Sequence, residues 1–316
     1  MTLPVGRALR DVFGETVTRL ADDDERIVML DGDLGSSTRG QLFEDAHPER
    51  YLQMGIAEQN MLGVAAGLAT MGCIPFISTF AAFALIRPLD QIRVLIAQTG
   101  ANVKITAGYS GLFTGRAGKT HQIVDDISIS RAMPGMVVVS PADEVEARGA
   151  LEWAAAYAGP VYLRLVRDPT QTLFDGQHRF EFGRSVVVRS GGDVTLISTG
   201  TQTPRVVDAA DILADSGIHA SVLHLPTLKP LDIAGIVEAA ELTGKVITIE
   251  EHNVIGGLGG AVTETLSEHR PTQVHRIGIQ DHYTESASNE ELLEMYGLSA
   301  ERVAQRVREL LSTQSP

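Results

Sequence analysis

Residues 55–86 read Gly55-Ile-Ala-Glu58-Gln-Asn60 and then Met61-Leu-Gly63-Val-Ala65-Ala66-Gly67-Leu-Ala69-Thr70-Met71-Gly-Cys73-Ile-Pro75-Phe-Ile-Ser78-Thr-Phe80-Ala-Ala-Phe83-Ala-Leu-Ile86; the last twenty-six residues carry no charge. An apolar run of roughly 20 residues is long enough to span a bilayer. Here Gly63, Gly67, Gly72 and Pro75 interrupt it, and Met71-Gly-Cys-Ile-Pro75 ends any helix. The run therefore reads as a buried helix over 57–70, a buried strand over Cys73–Ser78 and a second helix from Phe80. The small residues Gly63, Ala65, Ala66, Gly67 and Ala69 allow that first helix to approach another backbone closely.

Glu58 stands at the mouth of this apolar stretch. Burying even a neutral polar group without a partner costs of order 2–7 kcal/mol. The next charged residue along the chain, Arg87, lies far downstream, so the local sequence offers no partner. Either a ligand atom or a basic group brought in by the fold must meet the carboxyl. The plainer alternative is a helix-start carboxylate interacting with the helix dipole.

The same alternation runs outward in both directions. Predicted strands are Arg26–Leu30, Tyr51–Met54, Cys73–Ser78, Val103–Ala107, Met136–Ser140 and Val161–Val166. Predicted helices are Val5–Leu20, Thr38–Ala46, Ala57–Met71, Phe80–Gln98, Ile123–Ala132 and Pro141–Tyr157. Strands apolar on both faces with helices between them imply a parallel sheet covered on two sides. Polar residues from Asp168 to Gly183 break the pattern. It restarts with strands Val194–Ser198, Ala220–Leu225, Val246–Glu250 and Val274–Ile279 and helices Thr203–Ser216, Asp232–Thr243, Gly259–Glu268 and Ala300–Leu311. The expectation is an α/β chain of two doubly wound domains, 1–170 and 184–316, joined by a linker over 171–183.

Bulk properties exclude several classes. A net charge of −14 argues against nucleic acid or an anionic membrane as a partner. Cys73 is the single cysteine, which leaves no disulfide framework and no zinc cluster. The N-terminus has no apolar signal segment, so a soluble, cytoplasmic protein is expected. Gly256-Gly-Leu-Gly-Gly260 lacks the G-x-G-x-x-G spacing and the following acidic residue, which excludes dinucleotide binding. The glycine-punctuated segment Gly108–Gln122 carries Arg116, Lys119 and His121 and leaves the carboxyl end of a predicted strand, where open α/β sheets place ligands.

Together these segments resemble the C-terminal half of the transketolase family. The matching residues are Leu30-Asp-Gly-Asp33, His47-Pro-Glu-Arg-Tyr51, Gly55-Ile-Ala-Glu-Gln-Asn-Met61, Ser78-Thr-Phe-Ala-Ala-Phe83, Asp90-Gln-Ile-Arg93, Thr120-His-Gln122, Ser140-Pro-Ala-Asp143, Leu228-Lys-Pro-Leu-Asp232 and Glu250-Glu-His252. The match runs from about Val5 to Leu311 and leaves out the family's N-terminal, diphosphate-binding domain. Gly32-Asp33 followed by Asn60 is similar to the metal-diphosphate signature of thiamine enzymes, but Leu34 replaces its second glycine.

The resemblance implies a pyrimidine-binding domain and a transketolase C-terminal domain, forming the small subunit of a split enzyme. The cofactor is then thiamine diphosphate, with its Mg2+ held by a partner chain that supplies the missing N-terminal half, in a dimer of heterodimers. Glu58 would share a proton with a ring nitrogen of the cofactor's aminopyrimidine. Phe80 and Phe83 would pack on that ring, and Asp33 and Ile56 would complete the cofactor-binding group. The reaction would move a two-carbon ketol unit from a ketose to an aldose acceptor. His121 would contact substrate oxygens, while Arg7, Ser37 and Arg167 would grip a sugar phosphate. Two positions depart from the family pattern: Ala117 stands where an acidic residue is common and Tyr109 where a histidine is common. The rivals are the β-subunit of a 2-oxo acid dehydrogenase, a 1-deoxyxylulose phosphate synthase-like fragment, and a non-catalytic binding subunit.

Overall fold

A computed structural model describes residues 3–312. Residues 1–2 and 313–316, the outer ends of the two expected domains, lie outside the described residues. Fourteen strands are present among those described: β1 (Val5–Ala8), β2 (Ile27–Asp31), β3 (Tyr51–Gln53), β4 (Ile74–Phe80), β5 (Lys104–Gly108), β6 (Val137–Val139), β7 (Val161–Arg164), β8 (Pro169–Gln171), β9 (Val186–Arg189), β10 (Val194–Ser198), β11 (Ala220–His224), β12 (Thr227–Lys229), β13 (Val246–Asn253) and β14 (Val274–Ile279). They form a seven-stranded sheet in the order β12-β6-β7-β5-β4-β2-β3 and a five-stranded sheet in the order β14-β13-β10-β11-β9. Apart from the antiparallel strands β12 and β9, both sheets are parallel. The doubly wound α/β class holds for both halves.

Strand parity explains the two helical layers. In β2, Ile27 and Met29 face a core shared with the helices Leu9–Asp23 and Glu144–Ala156. Val28 and Leu30 face the opposite core, built with Met61, Leu62, Ala65 and Ala66 of the helix Glu58–Thr70 and with Ala81, Ala84 and Leu85. Fully burying one such aliphatic side chain is worth about 1.5–3 kcal/mol. A one-residue slip in β2 would exchange the two cores, so register is strongly specified.

Several elements differ from expectation. The predicted helix Val5–Leu20 opens as strand β1, paired antiparallel with β8, which ends where the predicted linker begins, and the helix runs Leu9–Asp23. The predicted helix Phe80–Gln98 is broken: Phe80 ends β4, Ala81–Leu85 is helical, Pro88 interrupts, and Ile92–Ala97 winds as a π-helix. Strand β12 comes from the second half of the sequence yet closes the edge of the first sheet beside β6. The helix Asn289–Met295 was not foreseen; it opens with a capping box formed by Ser288 and Glu291.

Polar staples fix the two halves together. Asp143 caps its helix through the amides of Val145 and Glu146 while its other oxygen accepts from Leu173 and Phe174, each at 2.7 Å. Glu146 meets His224 Nε2 at 2.8 Å, and Lys229 Nζ donates to the Arg131 carbonyl at 2.8 Å. No described helix is long and apolar enough to cross a membrane.

Candidate active site

The first sheet reverses its winding between β2 and β4: β3 lies on one side of β2, while β4, β5 and β7 lie on the other. Ligands of open α/β sheets bind at the carboxyl ends of strands where this reversal occurs. The chain places Gly32–Leu34 after β2, Phe80 at the end of β4 and Phe83 beyond it, Tyr109 after β5 and Arg167 after β7.

After β2, one oxygen of the buried Asp31 carboxylate accepts from the amides of Leu34 at 2.9 Å and Gly35 at 3.1 Å. That tight turn puts Asp33 in the left-handed region, with φ of 66°, a conformation aspartate tolerates better than most residues. Asp33 is exposed and lines a cavity of about 350 Å³ together with Ile56, Glu58, Phe83, Arg87 and His121.

Glu58 opens the helix Glu58–Thr70 and is 5% exposed. It does have a partner: Arg87 Nη1 donates to its Oε1 at 2.5 Å. Separation along the chain misled here, because strand β4 carries the chain back alongside the start of the Glu58 helix. The Arg87 guanidinium also lies over the Phe83 ring, 4.0 Å from its centroid. A planar, N–H-bearing cation thus occupies the space between a buried carboxylate and an aromatic face. This arrangement suits a flat heteroaromatic ring carrying an amino group, and Ile56, 73% exposed, is free to pack on such a ring. The donor set fits an aminopyrimidine.

A second cavity, of about 800 Å³, is lined by Ser37, Phe80, Tyr109, Arg116, Ala117 and Arg167, with residues 288–290 of the second half closing it. His121 lines both cavities, its ring edge-on to Phe83 at 5.3 Å and to Phe80 at 6.0 Å. Thr120 Oγ1 lies 2.9 Å from His121 Nδ1, which fixes the ring.

Two expected residues stand differently. Phe80 faces the larger cavity, because Tyr109 stacks on it with centroids 3.7 Å apart, so Phe83 is the aromatic wall of the smaller one. Arg7 is not brought to either cavity. It sits on β1 and pairs with Glu15 at 2.5 Å, half exposed. Because the helix starts at Leu9, it is Arg10, in the first turn, that points inward, donating to Tyr109 Oη and to the Ser37 carbonyl, both at 3.2 Å. Sequence reasoning missed Arg10 and Arg87. The signal for Arg10 was a helix start shifted by one turn.

Comparison with known proteins agrees with this geometry. The description "Transketolase, pyrimidine binding domain" matches residues 6–171, and "Transketolase, C-terminal domain" matches residues 183–303. The chain belongs to the transketolase family. It is 40% identical over 308 residues to a putative transketolase C-terminal section of Methanocaldococcus jannaschii, covering 96% of each chain. It is 39% identical to the 6-deoxy-6-sulfo-D-fructose transketolase subunit SqwH of a Clostridium species, covering 96% of this chain and 94% of that one. A solved split-gene transketolase, described as an inactive beta4 tetramer, superposes with a TM-score of 0.88 at 43% identity, covering 98% of this chain and 100% of that one. Family membership carries thiamine diphosphate as the cofactor. Among these relatives the chain has the span of a split-enzyme subunit.

Proposed function

We propose that this chain is the pyrimidine-side subunit of a two-chain, cytoplasmic transketolase that moves a two-carbon ketol unit from a ketose phosphate to an aldose acceptor. Its parts are a pyrimidine-binding domain over 1–170, a linker over 171–183 and a C-terminal domain over 184–316. The partner chain supplies the diphosphate and Mg2+ site, and two such pairs assemble as a dimer of heterodimers. Leu34, in place of the glycine of the metal-diphosphate signature, supports a metal site outside this chain.

The observation that carries the proposal is the buried Glu58 carboxyl facing Phe83 across a space that a planar cation fills. Bound thiamine diphosphate supplies an electron sink for breaking the bond next to a carbonyl. Glu58 would meet the pyrimidine nitrogen through its carboxyl and share a proton with it there. Arg87, 45% exposed at its side chain, is free to swing aside and release Oε1. Phe83 and Ile56 would pack on the ring and exclude water, with Asp33 and Phe80 completing the group that would hold it. His121, at the junction of the two cavities, hydrogen-bonds the substrate oxygens near the bond being broken. Ser37 and Arg167 hold the distal end of the sugar.

Calorimetry and reconstitution test this reading. The purified chain should bind thiamine diphosphate with magnesium weakly and be inactive. Addition of the N-terminal-half chain should restore tight binding and transfer of two carbons. Tight cofactor binding by the single chain would overturn the division of labour.

A further inference from the structure

Tyr109 is held in a way its surroundings must enforce. Its φ of 62° lies in the left-handed region that bulky residues rarely adopt, and such strain concentrates at functional sites. The ring is 6% exposed and stacks on Phe80 at an interplanar angle of 17°. Its hydroxyl sits at a crossing of polar groups. Arg10 Nη1 and Arg167 Nε each donate to it at 3.2 Å, and it donates to the Ser37 carbonyl at 3.3 Å. A phenol oxygen accepts twice and donates once, so its capacity is filled.

The consequence falls on the arginines. Tyr109 takes the Nε edge of Arg167, whose nearest carboxylate, Asp168, is 3.8 Å away, and the two terminal nitrogens of Arg167 make no hydrogen bond among the described residues. Those nitrogens form the fork that binds an oxyanion bidentately. Arg10 Nε is buried without a partner among the described residues. Arg7, meanwhile, is spent on Glu15.

We propose that Tyr109 is the positioning residue of the substrate cavity: its hydroxyl ties Arg10 to Arg167 and aims the Arg167 fork at a terminal oxyanion, a phosphate or a sulfonate. Arg10, bonded to that hydroxyl and to the Ser37 carbonyl, acts on the anion through Tyr109. The inference rests on the transketolase reading for the identity of the substrate but not for the presence of the anion site.

The test titrates inorganic phosphate and inorganic sulfate separately into the reconstituted two-chain enzyme, following bound phosphate by phosphorus NMR and sulfate by competition. Tyr109→Phe keeps the ring and removes the hydroxyl; Arg10→Gln removes the cation. Each should weaken anion binding about tenfold, the loss of one charge-assisted contact. The double variant should be little worse than either single one, because both act through one hydroxyl. Under turnover, Tyr109→Phe should raise KM for a phosphorylated acceptor far more than for its unphosphorylated form, while kcat moves little. A larger loss for phosphate than for sulfate supports a phosphate ester as the natural group, and the reverse supports a sulfonate. Unchanged affinity for both anions in both variants, or equal KM rises on both acceptors, would overturn the inference. Weakened anion binding in an enzyme pair that transfers no two-carbon unit would support it and overturn the transketolase reading instead.

Discussion

A buried carboxylate and a half-exposed arginine define the chemistry at the residue scale. The pair between Glu58 and Arg87 is charge-assisted, and the guanidinium over Phe83 adds a cation–π contact worth about 0.5–2 kcal/mol. Arg7 offers a contrast. Its pair with Glu15 is exposed on both sides, a type worth about 0–1 kcal/mol. Arg7→Ala should therefore shift KM for a phosphorylated acceptor less than about twofold; steady-state kinetics beside Arg10→Gln check this, and a loss equal to that of Arg10→Gln would return Arg7 to the site. Glu58, Phe83, Asp33, Ile56 and His121 were legible as one group because the residues that carry chemistry sit in short, specific motifs. Arg10 and Arg87 were not, since their positions depend on where a helix begins and how a strand doubles back.

The glycine-punctuated loop is the element on which the site depends. It is held from outside its own half. Gln122 Nε2 donates to the Glu285 carbonyl at 3.2 Å, Thr284 Oγ1 donates to Gln122 Oε1, and Ser286 Oγ donates to the Arg116 carbonyl at 2.6 Å. Gly111 lets the loop pass the second half closely: it has φ of 67°, and a Cβ there would lie 2.2 Å from Glu251 Oε1. Gln122→Ala leaves the buried Thr284 hydroxyl without its partner, at about 1–3 kcal/mol. Thermal unfolding should show that loss, and kcat/KM should fall with it because His121 adjoins Gln122. A variant that melts early yet keeps full kcat/KM would separate the loop's anchoring from catalysis. The element types were readable from apolar periodicity. The break after Phe80 and the edge pairing of β12 were not, because a π-helix and a long-range antiparallel strand leave no local pattern.

Across the whole molecule, the second half acts as a scaffold for the first. The motifs Ser140-Pro-Ala-Asp143 and Leu228-Lys-Pro-Leu-Asp232 carry no reacting group. Asp143, Glu146 and Lys229 instead join helix, linker and second sheet. Burial opposes the charge on Glu146, but His224 beside it, His178 Nε2 at 3.4 Å and the hydrogen bonds from His224 and the Ala142 amide outweigh burial and hold its pKa down to about 2. A depressed carboxyl pKa stabilises the fold above its unfolded value of 4.5 and loses that contribution as pH falls toward about 2. Glu146→Gln should therefore melt well below wild type at neutral pH, with the gap closing across that acid window. A gap independent of pH would mean that packing, not charge, joins the halves.

The most direct measurement of Glu58's assignment is hydrogen–deuterium exchange at thiazolium C2 of thiamine diphosphate bound to the reconstituted enzyme, comparing wild type with Glu58→Gln. An amide cannot share a proton as a carboxyl does, and loss of such a group costs about 10²–10⁴-fold in rate. Exchange slowed by that factor, with the cofactor still bound, is the predicted result. Exchange at the wild-type rate would contradict it and leave Glu58 a helix-start carboxylate paired with Arg87.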